Sequence, residues 1–101
     1  MKKIINGKKY DTDTARKLAS YDNGLLPNDF RCIEESLYQK KTGEYFLYGE
    51  GGPMTKYAVS CGNNSTTGSS MITPISEAEA RAWVEEHVND LYEEIFGAVE
   101  E

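Results

Sequence analysis

The chain reads as a small α+β domain: an antiparallel β-sheet with a central hairpin, one short N-terminal helix and two C-terminal helices. Three observations predict it. "FRCIEESLYQKKTGEYFLYGE" is two strand-like runs joined by a glycine-bearing turn. "DTDTARKLASYDNG" spaces Ala15, Leu18 and Ala19 three and four apart, the helical interval. "SEAEARAWVEEHV" and "NDLYEEIFG" each place a glutamate three residues after a capping side chain, Ser76 to Glu79 and Asp90 to Glu93.

The elements follow in order. In "KKIINGKKY", Asn6-Gly7 tolerates positive φ and predicts a tiny hairpin, with Ile4 and Ile5 before the turn and Lys9 and Tyr10 after it. Asp11 or Thr12 caps the early helix, and Asp22-Asn23-Gly24 stops it. Pro27 breaks the next connection. The long hairpin turns at Lys41-Thr42-Gly43-Glu44, which sets Gln39 opposite Phe46 and Leu37 opposite Tyr48. The glycines of "GEYFLYGEGGP" steer the chain off the sheet. Lys56 to Ser60 is a candidate strand, "CGNNSTTGSS" a polar mobile loop, and Met71 to Thr73 a last short strand stopped by Pro74. Ala80, Trp83, Val84, Leu91, Ile95 and Phe96 supply the buried sides of the late helices.

With 101 residues, 39% hydrophobic and 28% charged, the chain predicts one globular domain over 1–101. It has no run of about 18 apolar residues, so no membrane span is expected. "MKKIINGKKYD" lacks the apolar core of a secretory signal, which predicts a cytoplasmic protein with Cys32 and Cys61 as free thiols. The glycosylation-type triplets in "NNST" then carry no meaning.

Charge is polarised. The net charge is −6, yet residues 1–75 hold 10 Lys/Arg against 8 Asp/Glu, while residues 76–101 hold Arg81 against nine acids. Such an end repels nucleic acid and attracts basic partners, which makes Glu85, Glu86, Asp90, Glu93 and Glu94 candidate partner contacts. The competing reading is a solvated helix face that aids solubility.

No catalytic constellation is visible. His87 is the sole histidine and no nucleophile sits in a recognisable elbow. Cys32, Cys61 and His87 lack zinc-ligand spacing, and no acidic segment resembles a calcium loop. "GEGGPMTK" lacks the Gly-Lys-Ser/Thr ending of a phosphate loop, and Glu50 would repel phosphate. The expectation is a non-enzyme without cofactor or metal. Tyr45, Tyr48 and Tyr57, near Lys40, Lys41 and Lys56, are candidate contact anchors and a candidate stacking platform. The acidic total and the lack of a dense basic stripe argue against direct nucleic-acid binding. Pairing of two copies through the exposed hairpin edge stays open.

Three segments carry a resemblance over nearly the whole chain: "KKIINGKKYDTDTA", "LYQKKTGEYFLYGEGGPMTKYA" and "ITPISEAEARAWVEEH…YEEIFG". Together they resemble small proteins encoded by phages, plasmids and integrative elements of Gram-positive bacteria. The resemblance implies a context rich in anti-CRISPR proteins, several of which occupy nucleic-acid sites with acidic surfaces. The expected partner is a host defence protein, the type II CRISPR effector nuclease or its guide-RNA complex, whose nucleic-acid channel is positively charged. The alternative is a small nucleic-acid-binding or regulatory module of a mobile element, acting through the Tyr/Lys hairpin face. The resemblance brings no catalytic residue with it.

Overall fold

A computed structural model describes residues 1–26, 29–62 and 65–97, apart from the Cys61 side chain. Eight strands form among the described residues: β1 (Lys2–Ile5), β2 (Lys8–Asp11), β3 (Arg16–Asp22), β4 (Ile33–Gln39), β5 (Tyr45–Gly51), β6 (Val59–Gly62), β7 (Ser65–Thr67) and β8 (Ser69–Ile75). Helix α1 (Glu77–His87), a 3₁₀ turn (Asn89–Leu91) and the short α2 (Tyr92–Phe96) follow. The central sheet is antiparallel in the order β3-β4-β5-β8; β1-β2 and β6-β7 are separate two-stranded ribbons.

The α+β expectation is overturned. Among the described residues the fold is mostly β, 46% strand in three sheets, with two short C-terminal helices. The N-terminal helix does not exist: Arg16–Asp22 is an edge strand of the central sheet. Its apparent helical spacing comes from a bulge between Lys17 and Ala19. The bulge puts both Leu18 and Ala19 against the core, so two neighbours that should alternate are both inward. The forecast cap becomes a local turn. Asp11 Oδ1 accepts from the Asp13 amide (2.9 Å), and the Ala15 amide reaches the Asp11 carbonyl (3.0 Å). That single turn does not propagate, because a lone helical nucleus is unfavourable without packing.

The β1-β2 hairpin turns at Asn6 (φ 51°) and Gly7 (φ 76°), with Ile5 opposite Lys8. The β4-β5 hairpin closes one residue earlier than its sequence suggests. The Lys40 amide donates to the Glu44 carbonyl (2.8 Å) and the Gly43 amide to the Lys40 carbonyl (2.9 Å), with Gly43 at φ 96°. The pairs are therefore Gln39 with Tyr45, Tyr38 with Phe46 and Leu37 with Leu47. A one-residue slip changes which side chains share a face, so this correction decides both cores. The segment expected as a loop, "CGNNSTTGSS", holds the end of β6, all of β7 and the start of β8; of the expected strand Lys56 to Ser60 only Val59 and Ser60 are strand, while Lys56 and Tyr57 lie in the turn before it. Pro27, Asn63 and Asn64 lie outside the described residues.

Each face of the central sheet has its own cover. Ala19, Leu37 and Leu47 meet Ala80, Trp83 and Val84 of α1, with Leu91, Ile95 and Phe96 at the margin. On the opposite face Phe46 and Ile72 meet Tyr10 of the β1-β2 hairpin. Tyr10 lies edge-on to Phe46 (5.6 Å) and Tyr38 stacks on it (5.2 Å). Helix α1 starts on the forecast capping box: Ser76 Oγ accepts from the Glu79 amide (3.1 Å), and Glu79 Oε1 accepts from the Ser76 amide (3.0 Å).

Candidate functional site

Glu85, Glu86, Asp90, Glu93 and Glu94 are all exposed on α1, the 3₁₀ turn and α2. The inner sides of these elements are fixed on the sheet, so the five acids decorate the outer surface of one helical layer. Among the described residues the only ion-pair partner of this set is His87, 3.9 Å from Glu86. The layer's lone arginine is engaged elsewhere: Arg81 bonds Glu77 (3.3 Å) and the Tyr92 hydroxyl (3.1 Å), and lies 4.7 Å over the Phe96 ring. Arg81 thus ties the five-residue α2 to α1, which a helix that short needs. His87 packs between Tyr21 (4.1 Å) and Trp83 (5.5 Å), as a boundary residue of the aromatic core.

The three candidate tyrosines do not form one platform. Tyr45 lies on the helix-covered face, 6.0 Å from Phe96. Tyr48 lies on the opposite face with Phe46 and Ile72. Tyr57 is interior, at 5% exposure, rather than at a contact surface. Its phenol occupies the space over Gly49, where a Cβ would collide with the ring; Gly51 lies under the same ring. Gly49 thus admits an aromatic side chain, Gly51 leaves room for Thr55 Oγ1 and the edge of the same ring, and Gly52 lets the Phe30 backbone approach.

Tyr57 leads to the group that sequence reading missed. Glu35 is 2% exposed, the least expected residue in a core. One carboxylate oxygen accepts from the Trp83 indole N–H (3.1 Å); the other accepts from the Tyr57 hydroxyl and from Lys56 Nζ (2.7 Å). Ser69 Oγ in turn donates to the Tyr57 carbonyl. The carboxylate therefore joins the sheet to α1 and to the turn before β6. Its signal in the sequence is phase: Glu35 alternates with Leu37, and so points to the side that Leu37 buries.

Burial pushes the Glu35 carboxyl upward, but the hydrogen bonds from Lys56, Tyr57 and Trp83 and the Lys56 charge outweigh it, leaving it below the usual carboxylate range. Burial first, then the bond to Glu35 and its charge, push the Tyr57 phenol up. Glu35 thus contributes stability that is present above the ordinary glutamate value of about 4.3 and lost as pH falls through its depressed one. Tyr57 contributes stability that is present below about 10 and lost as pH rises towards its raised value. Acid titration followed by circular dichroism should show the wild type losing stability below pH ~4 and Glu35→Gln losing less over that range. Equal acid slopes for the two proteins would contradict the linkage.

A cleft of about 460 Å³ opens beside this network, lined by Cys32, Glu34, Glu50 and the backbone of Gly51, Gly52 and Gly68. Cys32 is a free thiol whose Sγ donates to the Leu25 carbonyl (3.7 Å). The Cys61 side chain, the other candidate thiol, lies outside the described residues. Among the described residues no three His, Cys, Asp or Glu side chains converge to hold a metal ion. No described helix is long and apolar enough to cross a membrane. No protein family, curated protein or solved structure shows significant similarity to this chain.

Proposed function

We propose that the protein is a non-catalytic inhibitor that docks on a basic, nucleic-acid-binding surface of a host defence protein through the outer surface of α1 and α2. The segment resemblance favours the type II CRISPR effector nuclease, alone or with its guide RNA, as the target. One observation carries the reading: Glu85, Glu86, Asp90, Glu93 and Glu94 are exposed on a layer anchored to the sheet, with His87 as their sole ion-pair partner among the described residues. A helical layer already packed on the sheet presents these charges without folding on binding, which reduces the entropic cost of association. Against a channel shaped for phosphates they would act as phosphate substitutes.

The test is binding to the guide-loaded effector and inhibition of its cleavage at physiological salt. Reversal of Glu85, Glu86, Glu93 and Glu94 to lysine is expected to weaken binding by roughly 100-fold or more, mostly through repulsion in the complex. Wild-type binding should weaken steeply with salt, as phosphate-like contacts do. Inhibition that survives the fourfold reversal would remove the acidic surface from the mechanism.

A further inference from the structure

Most of the chain's cations are gathered at one end of the central sheet, around the β4-β5 turn and the β1-β2 hairpin. Eight of the eleven Lys/Arg lie on the β1-β2 hairpin (four lysines), at the start of β3 (Arg16, Lys17) and in the β4-β5 turn (Lys40, Lys41). These segments are far apart in sequence, so no basic stripe is visible there; the fold assembles one. The β1-β2 hairpin seats Tyr10 on Phe46, the face away from α1. Lys17 stands opposite Tyr38, beside the same turn. Lys40 Nζ lies 4.3 Å over the Tyr10 ring, joining the turn to the hairpin.

Lys9, Lys40 and Lys41 line one cleft of about 270 Å³ with Thr14 and Thr42; Asp11 also lines it. Only Asp11, Asp13 and Glu44 supply negative charge on these segments. Glu44 is shared by Lys8 (3.1 Å) and Lys40 (3.3 Å), and the other six cations make no ion pair among the described residues. Lys9 and Lys41, without an ion pair among the described residues, flank a cleft whose Lys40 and Thr42 are held by Glu44 (3.3 and 3.1 Å) and which Thr14 also lines. Such lysines beside a hydroxyl match the chemistry of a phosphodiester backbone, which is read by charge and by Ser/Thr donors.

We propose that this basic end binds the phosphate backbone of a nucleic acid, single-stranded RNA or DNA, with Lys9, Lys41 and Lys17 as principal contacts. The site is distinct from the acidic surface and does not depend on it. Glu85, Glu86, Asp90, Glu93 and Glu94 stand on the helical layer, across the sheet from the Tyr10 hairpin. Glu77 and Glu79 reach a cleft that also holds Tyr10, Gly43 and Glu44, but Lys9, Lys17 and Lys41 do not line that cleft, so the net charge of −6 does not by itself describe what a strand meets at these lysines.

The experiment is fluorescence anisotropy of labelled oligouridine RNA, oligothymidine DNA and a DNA duplex, each about 20 units long, between about 50 and 200 mM salt. Single strands are expected to bind at low salt, with a log–log slope of about −2 to −3 from three or four phosphate contacts. Lys9→Glu with Lys41→Glu should weaken binding at least tenfold and flatten the slope by about 1.4, while circular dichroism stays unchanged because both side chains are exposed. The fourfold acid-to-lysine variant should bind at least as well as wild type. Preference for RNA over DNA would identify the 2′-hydroxyl as a further contact, and equal binding the backbone alone. The proposal is overturned if no strand binds at about 50 mM salt, or if the double reversal binds like wild type. It is also overturned if the basic end merely meets the acids of a second copy, seen as salt-sensitive oligomers without an anisotropy change.

Discussion

Truncating Glu35 to alanine is expected to cost about 3–5 kcal/mol of stability. The carboxylate is 2% exposed and accepts from Tyr57, Trp83 and Lys56. Removing it strands two interior donors, the Tyr57 hydroxyl and the Trp83 indole N–H, at roughly 1–3 kcal/mol each, and a cavity adds to that. Lys56 contributes little to the loss, because its side chain is 62% exposed and turns to water. A domain of this size has about 5–15 kcal/mol in total, and each kcal/mol moves its midpoint by about 4–8 °C. The expected fall in Tm is therefore on the order of 15–30 °C. Glu35→Gln keeps the shape and one acceptor and should cost about 1–2 kcal/mol. Denaturant titrations of the three proteins check this. A loss under about 1 kcal/mol for Glu35→Ala would mean that water replaces the carboxylate and that the network does not hold α1 to the sheet. In the proposed reading the effect would reach docking through Trp83, which packs α1 on the sheet and with it sets the outward positions of Glu85 and Glu86.

What the sequence made legible was local. Asn6-Gly7 and the Ser76–Glu79 box are short-range signals whose physics is complete within a few residues, and each turned or capped the chain where expected; Gly43 takes its positive φ in the expected turn, but the turn closes one residue earlier. Non-local choices were not legible. Leu18 and Ala19 satisfy a helical pattern and a bulged strand equally well; pairing with β4 decides between them, and no short window contains that pairing. The hairpin register hung on whether Lys40 or Lys41 closes the turn, a difference of one residue that exchanges Phe46 between partners. Of the candidate contacts, the exposure of the five acids was readable, because charge on the outer side of a packed helix or helical turn is set by local periodicity. The tyrosines were not, since Tyr45, Tyr48 and Tyr57 differ only in which face or interior the fold gives them. The basic end was invisible for a related reason: its lysines come from segments whose closeness depends on Tyr10 docking on Phe46.

Replacing Gly49 by alanine tests the steric claim behind the "GEGGP" segment and is expected to cost about 2–4 kcal/mol. Glycine at this position is not needed for a turn, because Gly49 is ordinary strand opposite Glu35. In an isolated strand the added methyl would help slightly, since glycine loses more backbone freedom on folding than alanine. The cost comes from Tyr57, whose hydroxyl and ring occupy the space of the new Cβ. Either the ring leaves, giving up its burial and its bond to Glu35, or the strand shifts under four-stranded pairing. Departure of the ring is the cheaper response and accounts for the expected magnitude. A double-mutant cycle separates the explanations. Tyr57→Ala alone should cost about 3–5 kcal/mol, as large-to-small aromatic changes do. In that background Gly49→Ala should lose its penalty and become neutral or stabilising by up to about 1 kcal/mol. The coupling between the two sites would then be at least 2 kcal/mol, within the range seen for residues in direct contact. An unchanged penalty in the Tyr57→Ala background would show that the strand backbone, and not the phenol, excludes a side chain at Gly49. Strand binding at the basic end supplies the functional control. Tyr10 and its hairpin pack on the opposite face from Tyr57, so Gly49→Ala should leave oligonucleotide affinity within about twofold of wild type while the protein stays folded.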